Sequence, residues 1–342
     1  MKRVSVKDVA RTAGVSIASV SRYYHKPDSL TEETRLKVEA AISHTGYTPN
    51  ALARDLRRGH TNIVLAIVPS IGIPFFGEVM RGVQSVAAQS SLSIIVEEMD
   101  STSDQGERIA SKLVSNQIDG MILLASAPPF DTKFLEMPDK SRRPVVVACE
   151  YISSELSGLP SVHIDNYMAA MEATLFLLSK GHRRIGLISG QEGSILMADR
   201  EAGYRAAMKD AKIAVDESWI VNGNLTLVGA SQATRDLLSQ PNGFSAILCL
   251  NDEMAIACIS EIKKAGLRVP GDVSVMGFDD IPVSEFLDPP LTTVRQPAEE
   301  IGRRAMHRLL LEIQEGTGAE RTTEVVDHSL VIRKTVAQAN GF

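Results

Sequence analysis

Ser5-Val-Lys-Asp-Val-Ala-Arg-Thr-Ala-Gly-Val-Ser-Ile-Ala-Ser-Val-Ser-Arg22 is the stretch that decides how the rest of the chain is read. Ser5 and Asp8 have the spacing of a capping box, in which each side chain serves a free N–H of a first helical turn. Val6, Val9, Ala10 and Ala13 then recur at three- and four-residue intervals, which gives an amphipathic helix with Lys7, Asp8, Arg11 and Thr12 on the other side. Gly14 can adopt the left-handed conformation that ends a helix, and Ser16 is a fresh N-cap for a second helix through Val20 and Tyr24. Two short helices about a tight glycine turn form a helix-turn-helix. The second helix carries the small residues Ala18, Ser19 and Ser21 and one long donor, Arg22, which suits a surface pressed into a DNA major groove. Glycine-turned helix pairs also occur in all-α domains without a nucleic-acid role, so charge has to help decide.

Residues 1–60 hold eleven Lys/Arg and six Asp/Glu, a net of +5, whereas the 342-residue chain carries 36 and 42, a net of −6, leaving −11 for residues 61–342. A basic head on an acidic body is the footprint of a segment that meets phosphates joined to one that does not. Further along the head, Lys26-Pro27-Asp28-Ser29 breaks the second helix, and Thr31 with Glu32 and Glu33 starts a third. Its Leu36, Ala40 and Ile42 are expected to close a three-helix core that is complete by Tyr47. Tyr24 either fills that core, the preferred reading, or reaches a phosphate. Residues 50–58 read as one short extra helix capped by Asn50 and stopped by Gly59, too short to be stable alone in water. It is either a solvated interdomain linker or a segment that folds against DNA and a second copy of the chain.

From Asn62 the pattern changes to short Val/Ile/Leu runs at 63–68, 92–97, 120–125, 145–149, 161–164, 185–189, 246–250 and 273–278. Helical patterns at 76–89, 104–116, 167–180, 200–211, 229–238 and 252–265 separate most of them. Continuous apolar strands alternating with helices imply parallel sheets covered on both faces, and so many elements imply two α/β lobes with a cleft between them. Ligands in such folds gather at the carboxyl ends of strands, where Asp165-Asn166, Asn251-Asp252 and Asp279-Asp280 fall, although Asp and Asn also favour these loops as turn formers. The three cysteines, Cys149, Cys249 and Cys258, are widely spaced in apolar surroundings and read as reduced core thiols. No apolar run follows the basic start or approaches a membrane span, so a cytoplasmic protein without a membrane partner is expected. There is no P-loop, no Gly-x-Ser-x-Gly elbow and no metal-ligand spacing among the seven histidines. No enzyme activity, catalytic residue, cofactor or metal is expected.

The chain resembles the lactose/galactose repressor (LacI/GalR) family along nearly its whole length. The likeness rests on Lys7-Asp8-Val9-Ala10, Ala13-Gly14-Val15-Ser16, Val20-Ser21-Arg22, Gly46-Tyr47, Pro49-Asn50, Pro74-Phe75-Phe76, Ile118-Asp119-Gly120-Met121, Gly181-His182-Arg183-Arg184-Ile185-Gly186, Gly277-Phe278-Asp279-Asp280 and Asp288-Pro289-Pro290-Leu291-Thr292-Thr293. Ala127-Pro128-Pro129-Phe130-Asp131 and the His163 segment look most like its cytidine-repressor branch. The resemblance implies a helix-turn-helix head at 1–48, a hinge helix at 49–60 and a body at 61–342 like type I periplasmic binding proteins. Its chain would cross between the lobes three times, with an N-lobe of about 61–163 plus 294–322 and a C-lobe of about 164–293 plus 323–342.

It further implies a homodimer, or a tetramer of two dimers, that binds a palindromic DNA operator and answers to a sugar or nucleoside effector. Ile17, Ala18 and Arg22 would face bases, the first two by apolar contact to thymine methyls and Arg22 by a bidentate bond to guanine. Ser5, Ser16, Ser19, Ser21 and Asn50 would serve the backbone, and Leu56, with Ala53 on the same helix, would enter the minor groove. Phe75, Phe76, Asp165, Arg200, Leu225, Asn251 and Asp279 would line the effector site, where a planar guanidinium opposite a carboxylate suits vicinal hydroxyls. Two departures stand out. Leu225 replaces an aromatic that often stacks on the ligand, and Tyr23-Tyr24-His25 replaces a more aliphatic end of the second helix. A transport-type binding protein would account for the body but not for the basic head.

Overall fold

The computed structural model describes residues 4–47, 60–99, 103–125, 130–131, 143–150, 158–190, 193–241, 243–315 and 322–339. The predicted hinge helix, with Asn50, Ala53 and Leu56, lies outside them. The chain divides into two units, Met1–Thr61 and Asn62–Phe342.

In the first unit, α1 (Val6–Ala13), α2 (Ile17–His25) and α3 (Glu32–Thr45) form around Val9, Ala10, Val20, Val38 and Ala41, all buried. Gly14 takes φ +63° to end α1, and the hydroxyls of Ser16 and Thr31 accept the Ser19 and Thr34 N–H groups to start α2 and α3. Each cap is worth about 1 kcal/mol. The third helix turns differently from the expected register. Leu36 is 54% exposed and Ala40 also faces solvent, while Val38 and Ala41 fill the core with Ile42 half-buried beside them. Residues 36 and 40 make one apolar row and 38, 41 and 42 another; the second row wins because it meets Val9 and Val20 from the other two helices. Tyr24 is likewise exposed, and it is Tyr23 that packs on the core, with the two rings edge to face at 5.3 Å.

The second unit holds two six-stranded sheets. The first has the order β11-β5-β4-β3-β1-β2, with β1 (Ile63–Val68), β2 (Ser93–Glu98), β3 (Gly120–Leu123), β4 (Val145–Ala148), β5 (Ser161–His163) and β11 (Thr323–Val325), all parallel. The second has the order β12-β10-β9-β8-β6-β7, with β6 (Ile185–Ser189), β7 (Ile220–Asn222), β8 (Ala246–Cys249), β9 (Ser274–Asp279), β10 (Thr292–Arg295) and β12 (Ser329–Val331). Only the β10–β12 pairing there is antiparallel. The chain therefore passes between the sheets three times, after β5, β10 and β11. Because Thr323 and Val325 pair with Ser161 and His163, the stretch 323–325 belongs to the first sheet, a few residues past the expected lobe boundary at 322.

The helices are α4 (Pro74–Gln89), α5 (Ser103–Val114), α6 (Asn166–Ser179), α7 (Ile195–Asp210), α8 (Leu227–Leu238), α9 (Asp252–Lys264) and α10 (Ala298–Glu315). α4 and α10 pack backbone to backbone. A Cβ on Gly82 would lie 2.0 Å from the Glu299 carbonyl oxygen, and one on Gly302 2.0 Å from that of Val79. The strand interiors Val64–Val68, Val145–Ala148 and Ala246–Cys249 are fully buried, as continuous Val/Ile/Leu runs in a sheet covered on both faces should be. All three cysteines are free and buried.

Candidate DNA-reading helix and interlobe cavity

With Val20 buried and Tyr23 half-buried, α2 turns Ile17, Ala18, Ser21 and Arg22 outward together, and Ile17 is 46% exposed. Arg22 Nε donates to the Ala18 carbonyl at 3.4 Å, a weak bond that leaves most of the guanidinium fork free to turn outward. Ser16, Ser19 and Ser21 border this face, and the Ser16 and Ser19 hydroxyls lie 3.0 Å apart. Ser5 differs from them: both its hydroxyl, at 2.7 Å, and its backbone N–H, at 3.0 Å, donate to the Asp8 carboxylate. Its proton is already committed.

In the second unit, the ends of β1, β4, β9 and β10 and the starts of α4, α7 and α9 enclose a cavity of about 170 Å³. Six of the seven expected effector residues, Phe75, Phe76, Arg200, Leu225, Asn251 and Asp279, are brought together in its lining. Asp165 is not. It is exposed, and its carboxylate caps α6 by accepting the Met168 N–H at 2.9 Å. The neighbouring Asn166 takes part instead, holding Arg200 Nε with its Oδ1 at 2.9 Å.

Arg200 is almost completely buried. Its Nη1 donates to the Leu250 carbonyl at 2.6 Å and lies 3.8 Å from Asp279 Oδ1, and its guanidinium carbon sits 3.6 Å over the Phe278 ring. The Asp279 carboxylate also accepts from Gln296 Nε2 at 2.7 Å. Burial dominates both charges, lowering Arg200 to about 10 and raising Asp279 to about 7 against the opposing pull of the pair. Desolvation wins because the two groups are not in direct hydrogen-bonding contact. Asn251 caps α9 through the Met254 N–H at 2.8 Å. Its neighbour Asp252 is wired inward, accepting from Ile281 N–H, Ser284 Oγ and Thr293 Oγ1 at 2.9, 2.6 and 2.5 Å, and this ties the loop after β9 to α9 and β10.

The backbone around the cavity is strained. Cys149, Asn224, Leu225, Asp279 and Asp280 all have positive φ, at +71°, +53°, +57°, +116° and +57°. For a residue with a Cβ such geometry costs on the order of 1–3 kcal/mol, and strain of this kind collects where a side chain must be aimed. Sequence reading names Asn166 only as one of the polar residues that follow strands, and it misses Cys149, Glu150 and Gln296 in the lining. Gln296 directly follows β10 and Cys149 directly follows β4, so the rule that ligands gather after strands would have found both.

A helix-turn-helix head joined to a two-lobed body with parallel sheets and an interlobe cavity defines a bacterial transcriptional regulator with a periplasmic-binding-protein-like sensor. Residues 5–50 match the model of bacterial regulatory proteins of the lacI family, and residues 174–336 match the periplasmic binding protein-like domain. The chain is 40% identical over 329 residues to the HTH-type transcriptional repressor CytR of Escherichia coli K12, covering 96% of this chain and 95% of that protein. Among solved structures it is similar to the lac repressor dimer bound to operator and the anti-inducer ONPF, at 26% identity and a TM-score of 0.84 over 98% of this chain and 100% of that one. It is also similar to the transcriptional regulator CelR in complex with cellobiose, at 28% identity and a TM-score of 0.72 over 97% and 100%. The chain belongs to the LacI family, and its likeness to CytR agrees with the branch indicated by its sequence. Among the described residues no helix is long and apolar enough to cross a membrane.

Proposed function

We propose that this protein is a repressor that binds a palindromic operator as a dimer and is controlled by a small sugar or nucleoside held between the lobes of its body. The observation that carries the proposal is the outward face of α2, where an exposed isoleucine, an alanine and an arginine stand together on a helix anchored by its other side. Ile17 and Ala18 offer apolar contact to thymine methyls and Arg22 offers a bidentate pair to guanine, with Ser16, Ser19 and Ser21 on phosphates. Ser5 takes part only by giving up its bond to Asp8. Asn50, Ala53 and Leu56 complete the DNA contacts in the segment 49–60.

The lining of the cavity supports the effector half of the reading. Arg200 and Asp279 lie 3.8 Å apart in the wall of a cavity that Phe75 and Phe76 also bound, and its volume is below the ~300–1,000 Å³ usual for small-molecule pockets. The effector is therefore small, or the lobes part to admit it. Binding changes the angle between the lobes and with it the population of the DNA-competent state, a coupling that works equally in both directions. The similarity to an operator-bound dimer and to a cellobiose complex supports both halves. Fluorescence anisotropy with a labelled palindromic duplex tests the reading. Affinity should fall steeply with salt and drop in Arg22→Ala; binding that ignores that substitution would refute base reading by α2.

A further inference from the structure

We infer that Asp119 is a positioning residue for operator binding: by holding the backbone of Asn62 it fixes the direction in which the chain leaves the body toward the segment 49–60. This rests on the DNA reading above and adds to it the point from which the body steers that segment.

Asn62 opens the second unit and stands one residue before β1, which lies between β2 and β3 in the first sheet. Its φ is +58°, a left-handed conformation that asparagine tolerates better than most residues and that bends the chain sharply as it leaves the sheet. Asn62 is held from both sides. Its N–H donates to Asp119 Oδ2 at 2.7 Å and its carbonyl accepts the Ser93 N–H at 2.8 Å, while the Ile63 carbonyl accepts the Asp119 N–H at 2.7 Å. The backbone bonds extend the strand ladder and are open to almost any sequence. The bond to the carboxylate is not, because it needs an acceptor side chain at one position 57 residues further along.

Asp119 is 2% exposed, with Oδ1 4.0 Å from Arg143 Nη2. A buried carboxylate adds little net stability, since the loss of water offsets its bonds; what it adds here is geometry. A charged acceptor gives the Asn62 N–H a shorter and stronger bond than a neutral one. Without that bond the bend at Asn62 can swivel. Direction matters to a dimer on a palindrome, because its second head binds within a complex already formed, at an effective concentration set by how widely its attachment swings. A fixed exit also has less conformational freedom to lose on binding. Since Asn62 is bonded toward β2 on one side and β3 on the other, a rotation of the first sheet reaches the exit without slack.

The probe is a labelled palindromic duplex that the full-length parent selects from a random pool, with binding followed by anisotropy at several salt concentrations. Asp119→Ala should bind it roughly tenfold more weakly with an unchanged salt slope, because the same complex forms with the same phosphate contacts from a less ordered start. Asp119→Asn, whose amide carbonyl can accept the same N–H, should recover most of that loss. Asn62→Pro attacks the bond from its donor side, removing the N–H and forcing a negative φ, and should weaken binding at least as much. Thermal unfolding of each variant establishes that it is folded at the assay temperature. Parental affinity in Asp119→Ala, or in Asn62→Pro should Asp119→Ala not fold, overturns the inference. So does an Asp119→Asn chain as weak as Asp119→Ala, or a shallower salt slope, which would mean lost phosphate contacts instead. Each of these results leaves the DNA reading standing on the parent's own selected duplex. A parent that selects no palindrome sinks that reading and the inference with it.

Discussion

The head and the body place their proposed binding residues in opposite environments. On α2 of the head, Ile17, Ala18, Ser21 and Arg22 stand in solvent while the core residues behind them are anchored. In the body, Arg200, Asp279 and Gln296 are each more than nine-tenths buried and hold one another through a chain of polar contacts. An exposed reader can be changed one residue at a time with little effect on folding. A buried sensor cannot, because each polar group is the reason its neighbour is tolerated.

The strongest way to break this contrast is Arg200→Ala. Loss of the guanidinium leaves Asp279 without its counter-charge and Asn166 and Leu250 without their donor, and should destabilise the body by about 3–5 kcal/mol in chemical denaturation. A variant as stable as the parent would mean that the pair is not load-sharing at all. Asp279→Asn sharpens the contrast from the other side. A carboxyl raised to about 7 by burial disfavours its own ionisation in the fold, so its cost to stability is absent below the unfolded value near 4, grows as pH rises, and is complete above 7. Measured against the parent, the ligand-free variant should therefore gain stability as pH rises from 4 to 8, while effector binding is lost. The groups facing Asp279 are Arg200 on α7, Asp252 and Glu253 on α9 and Gln296 after β10, and of these Arg200 and Gln296 favour its charged form. A gap independent of pH would count against this assignment.

In the head the expected effects are smaller and separable. Arg22→Ala should cost operator affinity about 1–3 kcal/mol, read by anisotropy, with the melting temperature and effector binding unchanged. Ser16→Ala, which removes the cap of α2, should cost about 0.5–2 kcal/mol of head stability. If Arg22→Ala destabilised the head more than Ser16→Ala, the view of an exposed reader on an independent core would be wrong.

The same contrast explains what could be read in the sequence. The head was legible nearly to the residue, because Ser5, Gly14, Ser16 and Thr31 signal helix ends locally. Its misreadings, Leu36 and Ala40 for Val38 and Ala41 and Tyr24 for Tyr23, arose where a helix offers two candidate rows and only the partner helices choose between them. In the body, the Val/Ile/Leu strands were visible. β7, β10, β11 and β12 were not: β7, β11 and β12 are three-residue strands with exposed or half-buried positions that carry no alternation, and three of the four residues of β10 are threonine or arginine. α10 escaped because its polar face interrupts the apolar pattern and its tightest contact is the backbone of α4 at Gly82 and Gly302. Arg200, Asn251 and Asp279 could be placed from their positions in family motifs or after strands. Asn166, after β5, and Gln296, after β10, also stand where that rule points, but the part each plays was not legible, because an amide matters only through the group it holds, here 34 and 17 residues away along the chain.

The three passages of the chain between the sheets bear on how this protein is made. The head is one uninterrupted segment and can fold as soon as it leaves the ribosome. The first sheet, by contrast, is open until β11 at Thr323–Val325 arrives, and the second until β12 at Ser329–Val331. A message cut short within the body but before codon 323 should therefore yield a folded head attached to a body with neither sheet finished.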